Sequence, residues 1–217
     1  MRPSRLPVAL VCAAAVLLAR AAASESRFVF VDLQPKANHR LNEELHKSAG
    51  NHLGNLPQGE YRFEDSRWKI GEMMLHLKSE NVPEAPEKID GLKVGARCDR
   101  LHFLHTCGYG EAPQFADGTE IGAYTVEYAD GSAERIPIVY GEDVRDWWDW
   151  PDRTALKRAK VAWTGENPAA TANQRKVRLF SVVWTNPHPE KEIATIEVNS
   201  AGTMCDPMVI AISAEQK

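Results

Sequence analysis

AYTVEYADGSAERIPIVY, residues 123–140, sets two strand-like runs on either side of Asp130-Gly131. A type I′ turn needs positive φ at both central positions, which Asp and Gly tolerate, so the stretch predicts a β-hairpin closed by a two-residue turn. The punctuation repeats outward from it. RFVFVDL (27–33), WKIG (68–71), MMLHL (73–77) and DRLHFLHT (99–106) read as strands on its N-terminal side. AKVAW (159–163), VRLFSVVW (177–184), EIATIEV (192–198) and MVIAISA (208–214) read as strands on the other. In DRLHFLHT, Leu101, Phe103 and His105 should face one way and His102 and Leu104 the other. Residues 34–65 are the most polar segment, rich in Asn, Gly and Pro, where only Leu41 and Leu45 keep a helical spacing. They predict a loop-rich insertion over 34–58 with at most a short helix. Eight or nine short strands without long helices give an all-β fold, a two-sheet sandwich or a barrel, with a jelly roll the expected form.

The first residues, MRPSRLPVALVCAAAVLLARAAASES, place Arg2 and Arg5 before an apolar run from Leu6 to Ala19 and a small-residue stretch at Ala21 to Ala23. This is the pattern of a secretory signal cut after Ala23, and the run is too short and alanine-rich for a membrane span. The expectation is a secreted or periplasmic protein, one domain over 24–217, with no membrane span after cleavage. With 26 basic against 30 acidic residues the net charge is −4, and the signal would carry off three of the arginines. Such a balance argues against nucleic acid as a partner, since phosphate binding rests on Lys and Arg.

Cys98, Cys107 and Cys205 follow the signal. An extended strand between Cys98 and Cys107 would hold them roughly 30 Å apart, beyond disulfide reach, so any bridge should use Cys205. Three buried thiols are the alternative.

Catalytic signatures such as G-x-S-x-G, a phosphate-binding loop, a dinucleotide fingerprint or H-E-x-x-H are missing. The balance favours a non-enzyme, although a glycan hydrolase or lyase needs only two carboxylates from separate strands. His102 and His105 would face opposite sides of a strand and could not share an ion. His39, Glu43 and His46 would form a His-Glu-His trio if their segment were helical. No cofactor is implied, and a structural calcium has two candidate loops, 117–120 and the Asp143, Asp146, Asp149, Asp152 series, neither of which matches the twelve-residue calcium loop.

GEDVRDWWDWPDR, 141–153, connects two predicted strands and gathers Trp147, Trp148 and Trp150 among acids and arginines. Aromatic rings that stack on sugar C–H faces, flanked by groups that bond hydroxyls, are what a glycan site requires. The competing reading has the indoles capping the core while Arg145 and Arg153 pair with aspartates.

LHFLHTCGYG (101–110), GTEIGAYTVEYADGSAERIPIVYGEDVRDWW (118–148), KVAWTGENP (160–168), VRLFSVVWTNPHPEKEIATIEVNSAGT (177–203) and MVIAISA together resemble secreted or extracytoplasmic bacterial β-sandwich domains of the galactose-binding-like, jelly-roll type. Such domains occur beside carbohydrate-active or surface-sensing modules, and the resemblance covers about residues 55–214. It implies the fold and, more loosely, a non-catalytic module whose partner is a glycan or a cell-envelope protein; it brings no catalytic residues with it. The implied glycan site combines Trp147, Trp148 and Trp150 for stacking with Asp143, Arg145, Asp146, Asn186 and His188 for polar contacts. That combination requires the 141–153 and 186–191 loops to meet at one end of the sandwich. In the alternative, Arg145 or Lys191 fastens those loops together.

Overall fold

A computed structural model describes residues 26–111, 115–151 and 154–216. The stretch expected to be a secretory signal, Asp152 and Arg153 lie outside the described residues. The fold is all-β and sandwich-like, built from antiparallel strands with one short helix, α1 (Pro168–Ala172), among the described residues. No helix among them is long and apolar enough to cross a membrane.

The larger sheet joins β10 (Lys160–Gly165), β11 (Val177–Thr185), β7 (Arg100–Gly108), β13 (Asp206–Gln216), β5 (Met73–His76) and β2 (His39–Arg40) in that order, and β1 (Arg27–Phe30) also pairs with β13. The smaller sheet has the order β6 (Lys88–Arg97), β12 (Glu192–Ser200), β8 (Glu120–Tyr128), β9 (Ala133–Val139). A hairpin of β3 (Gly59–Phe63) and β4 (Ser66–Ile70) stands apart from both.

Two cores flank the larger sheet. Leu101 and Phe103 of β7 and Ile212 of β13 pack against Tyr124, Val126, Ile193 and Ile196 of the smaller sheet. On the opposite face, Leu104, Leu179 and Ile210 meet Trp68 and Ile70 of the hairpin, Trp147, and Leu41, Leu45, Leu53 and Leu56. Each such side chain stabilises the fold by about 1.5–3 kcal/mol when fully buried. Cover on both faces explains why β7 and β13 are buried almost throughout. Leu101 and Phe103 share one core and Leu104 the other, as their alternation predicts.

The structure corrects three local expectations. The β8–β9 hairpin forms, but its turn is not type I′: Gly131 alone has positive φ (+84°), and Gly131 N–H donates to Tyr128 O while Tyr128 N–H donates to Ser132 O. This is a type I turn followed by a glycine bulge. Asp130 Oδ1 accepts from Ser132 N–H at 2.9 Å and holds the aspartate out of the left-handed region. Second, the 34–58 insertion is loop-rich as expected but takes its one regular element as a strand rather than a short helix: it forms β2 and a series of turns pinned by its leucines. Third, β3 and β6 were not anticipated. β6 hides its strand character behind Gly91 and Gly95, both at positive φ and both at register shifts against β12, where an extra residue breaks the period of two.

Candidate functional site

β13 opens at Asp206, opposite Gly108, the end of β7, and its next pairing partner on the other edge is β5, with Met208 opposite His76. Register alone therefore carries His76 to the side of Asp206. The third member, His46, arrives from the insertion, in a turn closed by Leu45 N–H to Asn51 O at 2.7 Å and Ser48 N–H to Leu45 O at 3.2 Å.

The three groups converge on one atom. Asp206 Oδ2 lies 2.8 Å from His46 Nε2 and 2.6 Å from His76 Nε2. Asp206 is wholly buried, and its Oδ1 has no hydrogen-bond partner among the described residues. Burial by itself would push the Asp206 carboxyl up, but the two imidazoles more than offset it and hold the group below the ordinary carboxylate range. A buried anion facing two imidazole nitrogens is a donor set for a cation. One nitrogen of each ring and one carboxylate oxygen lie within 4.8 Å of one another. Three donors at about 2.0–2.2 Å from a tetrahedral ion stand about 3.3 Å apart, so each imidazole nitrogen need draw back from Asp206 Oδ2 by only about 0.5–0.7 Å.

The surroundings hold this geometry against local preferences. His46 (φ +58°) and Lys47 (φ +52°) are consecutive non-glycine residues in the left-handed region, and Tyr109 (φ +55°) faces them. Such residues cost of order 1–3 kcal/mol each and persist where the surrounding structure enforces them. The His46 ring lies 4.3 Å from the Tyr109 ring and meets Trp147 edge to face at 5.7 Å. Gly108 is required by proximity: a Cβ there would collide with the His46 ring and stand 2.5 Å from Asp206 Oδ1. His39 stands 5.4 Å from His76, ring to ring, its pKa lowered by burial and by that neighbour. The outer side opens onto a cleft of about 420 Å³ lined by Asn38, His39, Glu44, Asn81, Glu84 and Tyr109. A second cleft of about 390 Å³ beside Phe30, Gln34 and Lys69 gathers no comparable donors.

The tryptophan-rich stretch forms the wall behind this centre. Trp147 is buried, donates its backbone N–H to Cys107 O at 2.8 Å and meets His46 edge to face. Trp148 is half-buried, bonds Asn51 Oδ1 through Nε1 at 3.1 Å, and stacks on Trp150 at 6.0 Å, over which Arg175 lies at 4.6 Å. Asp143, Arg145 and Asp146 are buried. Asp143 pairs with Arg158 at 2.5 Å, Arg145 clasps Asp117 at 2.8 and 3.0 Å, and Asp146 accepts the N–H groups of Gly110 and Trp148 at 2.8 Å each. Burial pushes the Asp146 carboxyl up to about 7 despite those two N–H groups. With Asp149 accepting from Lys176 N–H, the described acids of both calcium candidates serve protein donors and do not converge on one point.

Asn186 and His188 lie elsewhere. Trp148 bridges to Val177 at the start of β11, whereas Asn186 follows its far end and donates its N–H to Asp99 O. Nine strand residues at about 3.3 Å each separate the two loops, which therefore form no common rim. Asn186 is buried, accepting from Tyr128 Oη at 2.6 Å and donating to Cys98 O at 2.9 Å. His188 packs on the Tyr128 ring beside Glu134. Lys191 secures the β8–β9 turn through Asp130 and Arg145 secures Asp117, so neither fastens the two loops to each other. The expected His39, Glu43, His46 trio is also redistributed. Without a helix, His39 pairs into β2 near Glu43, and His46 alone of the three joins the new centre. His102 and His105 do part to opposite faces, one bonding Ser66 and Glu215, the other Tyr124 and Asp143 O.

His76 and Asp206 were not anticipated. Their sequence signals are faint: one polar residue in the apolar run MMLHL, and one acid at the mouth of a strand. No family model matches the chain, and neither curated proteins nor solved structures match it.

Proposed function

We propose that this protein is a non-catalytic binding module whose functional centre holds a late first-row divalent cation between His46, His76 and Asp206. One observation carries the reading: two Nε2 atoms meet a single oxygen of a wholly buried carboxylate whose other oxygen is unpartnered. Imidazole with carboxylate suits zinc and its neighbours, and three protein ligands leave a position free toward the cleft. The galactose-binding-like, jelly-roll assignment and the secreted or periplasmic location belong to the same proposal; two antiparallel sheets around an apolar core are compatible with the former. The test is a titration of the purified protein with zinc, followed by calorimetry and by competition with a chromophoric chelator. Saturation at one zinc per chain that disappears in Asp206→Ala is the expected result. Identical binding by Asp206→Ala would overturn the reading.

A second reading, glycan binding, is supported by the half-buried Trp148–Trp150 stack under Arg175. It retains Trp148 and Trp150 as stacking groups and releases Trp147, which is buried. A saturable fluorescence change with soluble polysaccharides that vanishes in a folded Trp150→Ala variant would support it. No response across a polysaccharide panel would end it.

A further inference from the structure

Directly behind the cation centre lie two thiols that its ligands do not use. Cys107 and Cys205 are both wholly buried free thiols in the core between the two sheets. Each is the chain neighbour of a residue that builds the centre: Cys107 precedes Gly108, against which His46 rests, and Cys205 precedes Asp206. Gly108 and Asp206 form one rung of the β7–β13 ladder, and Cys107 pairs with Pro207 on the next. The ladder begins at the Gly108–Asp206 rung, and Cys205, in the bend just before β13, enters the same core as Cys107. Cys98, the remaining thiol among the described residues, sits beyond the other end of β7 beside Asn186 and has no such neighbour among them.

We propose that Cys107 and Cys205 are joined by a disulfide when the protein folds in the presence of a low-molecular-weight disulfide oxidant, and that this bond fixes the Gly108–Asp206 rung and tightens cation binding. The regulatory half rests on the metal reading above; the covalent half does not. The chemistry is two thiol–disulfide exchanges. Cys107 sulfur attacks one sulfur of the oxidant, forming a mixed disulfide and releasing one small thiol. Cys205 sulfur then attacks Cys107 sulfur, forming the protein disulfide and releasing the second small thiol. The two protein thiol protons pass to the two leaving thiolates, and the oxidant is reduced by two electrons. Because both sulfurs are sealed in the folded protein, the exchange belongs to folding, before the β7–β13 ladder closes over them.

The link to affinity is positional. The donors must keep a separation set by metal bond lengths, and Gly108 leaves no slack between the His46 ring and Asp206. A covalent tie one residue behind each partner restricts the sliding that would open the site. Groups that orient metal ligands from behind typically govern about ten- to hundredfold in affinity.

The experiment refolds the protein with oxidised and reduced glutathione, or with reduced glutathione alone, and reads intact mass, free thiols, and zinc affinity by chelator competition. The oxidised product is expected to be 2 Da lighter, with a Cys107–Cys205 peptide and Cys98 still titrating, and to bind zinc about tenfold more tightly than the reduced product. Cys107→Ala/Cys205→Ala should match the reduced protein whatever the buffer, and Cys98→Ala should match the wild type. Absence of the cross-linked peptide after oxidative refolding overturns the proposal outright. A cross-linked protein whose zinc affinity equals that of the reduced one overturns the regulatory half. If neither redox form binds zinc, the metal reading fails and takes the regulatory half with it, while the mass result still decides the disulfide.

Discussion

β13 carries a buried carboxylate near each end, and the two have been treated differently by the fold. Glu215 meets Arg100, His102 Nε2 at 3.0 Å and, through the imidazole, Ser66 Oγ at 2.7 Å from His102 Nδ1. A serine, histidine and acid in a row resemble a catalytic relay, but Ser66 and His102 are both buried, and neither lines the adjoining cleft of about 340 Å³. Asp206 meets two histidines, keeps one oxygen unpartnered and adjoins an open cleft. Both Glu215 oxygens are engaged within the protein, which fixes structure, whereas a buried carboxylate with one oxygen unpartnered marks a place where something else can complete it. Here Glu215 ties the β3–β4 hairpin and β7 to β13, and Asp206 is the anchor of the proposed cation centre.

The largest effect expected from this contrast is on metal. Asp206→Ala should weaken zinc binding by at least about 100-fold, whereas Glu215→Gln should leave it nearly unchanged; equal losses in chelator competition would erase the distinction. Next in size, Gly108→Ala should weaken zinc binding about tenfold or more, because the added methyl displaces the His46 ring, and the variant should remain folded since Gly108 adopts a φ open to any residue. Retained affinity would show that the ring has room that the structure does not display.

At the other end the readout is stability against pH. Burial raises the Glu215 pKa, but Arg100, Ser26 and His102 reverse that and bring it from 4.5 to about 2. A carboxyl depressed on folding contributes stability that is present above 4.5 and lost as pH falls toward 2. Denaturant midpoints should therefore drop over that window in the wild type and drop less in Glu215→Gln; parallel profiles would remove Glu215 as the cause. The smallest change is Ser66→Ala, which leaves the buried His102 Nδ1 without its partner and should cost about 1–3 kcal/mol of stability with zinc affinity untouched. A loss of zinc binding in this variant would join the two ends into one network.

Much of the architecture was legible from local pattern. The hairpin at 123–140, the opposite facing of His102 and Leu104 against Phe103, and the two-residue rhythm of 177–184 all follow from side-chain alternation, which is a local property. β3 escaped because its charged residues cover an exposed ribbon, and β6 because glycine bulges interrupt its period. The tryptophan stretch was recognisable as special, but whether an indole faces water depends on what the chain folds against it, here the turn that carries His46. The centre itself was beyond local reading. His46 and His76 stand 160 and 130 positions from Asp206, and neither contact exists until the strand register and the insertion's turns are in place.

β13 follows in the chain every strand it pairs with, β1, β5 and β7. During synthesis those three wait without their common partner, their edges open and the middle of the larger sheet missing. The proposed cation centre therefore cannot be assembled before β13 is made, because a chain not yet extended to Asp206 lacks the carboxylate that both imidazoles meet.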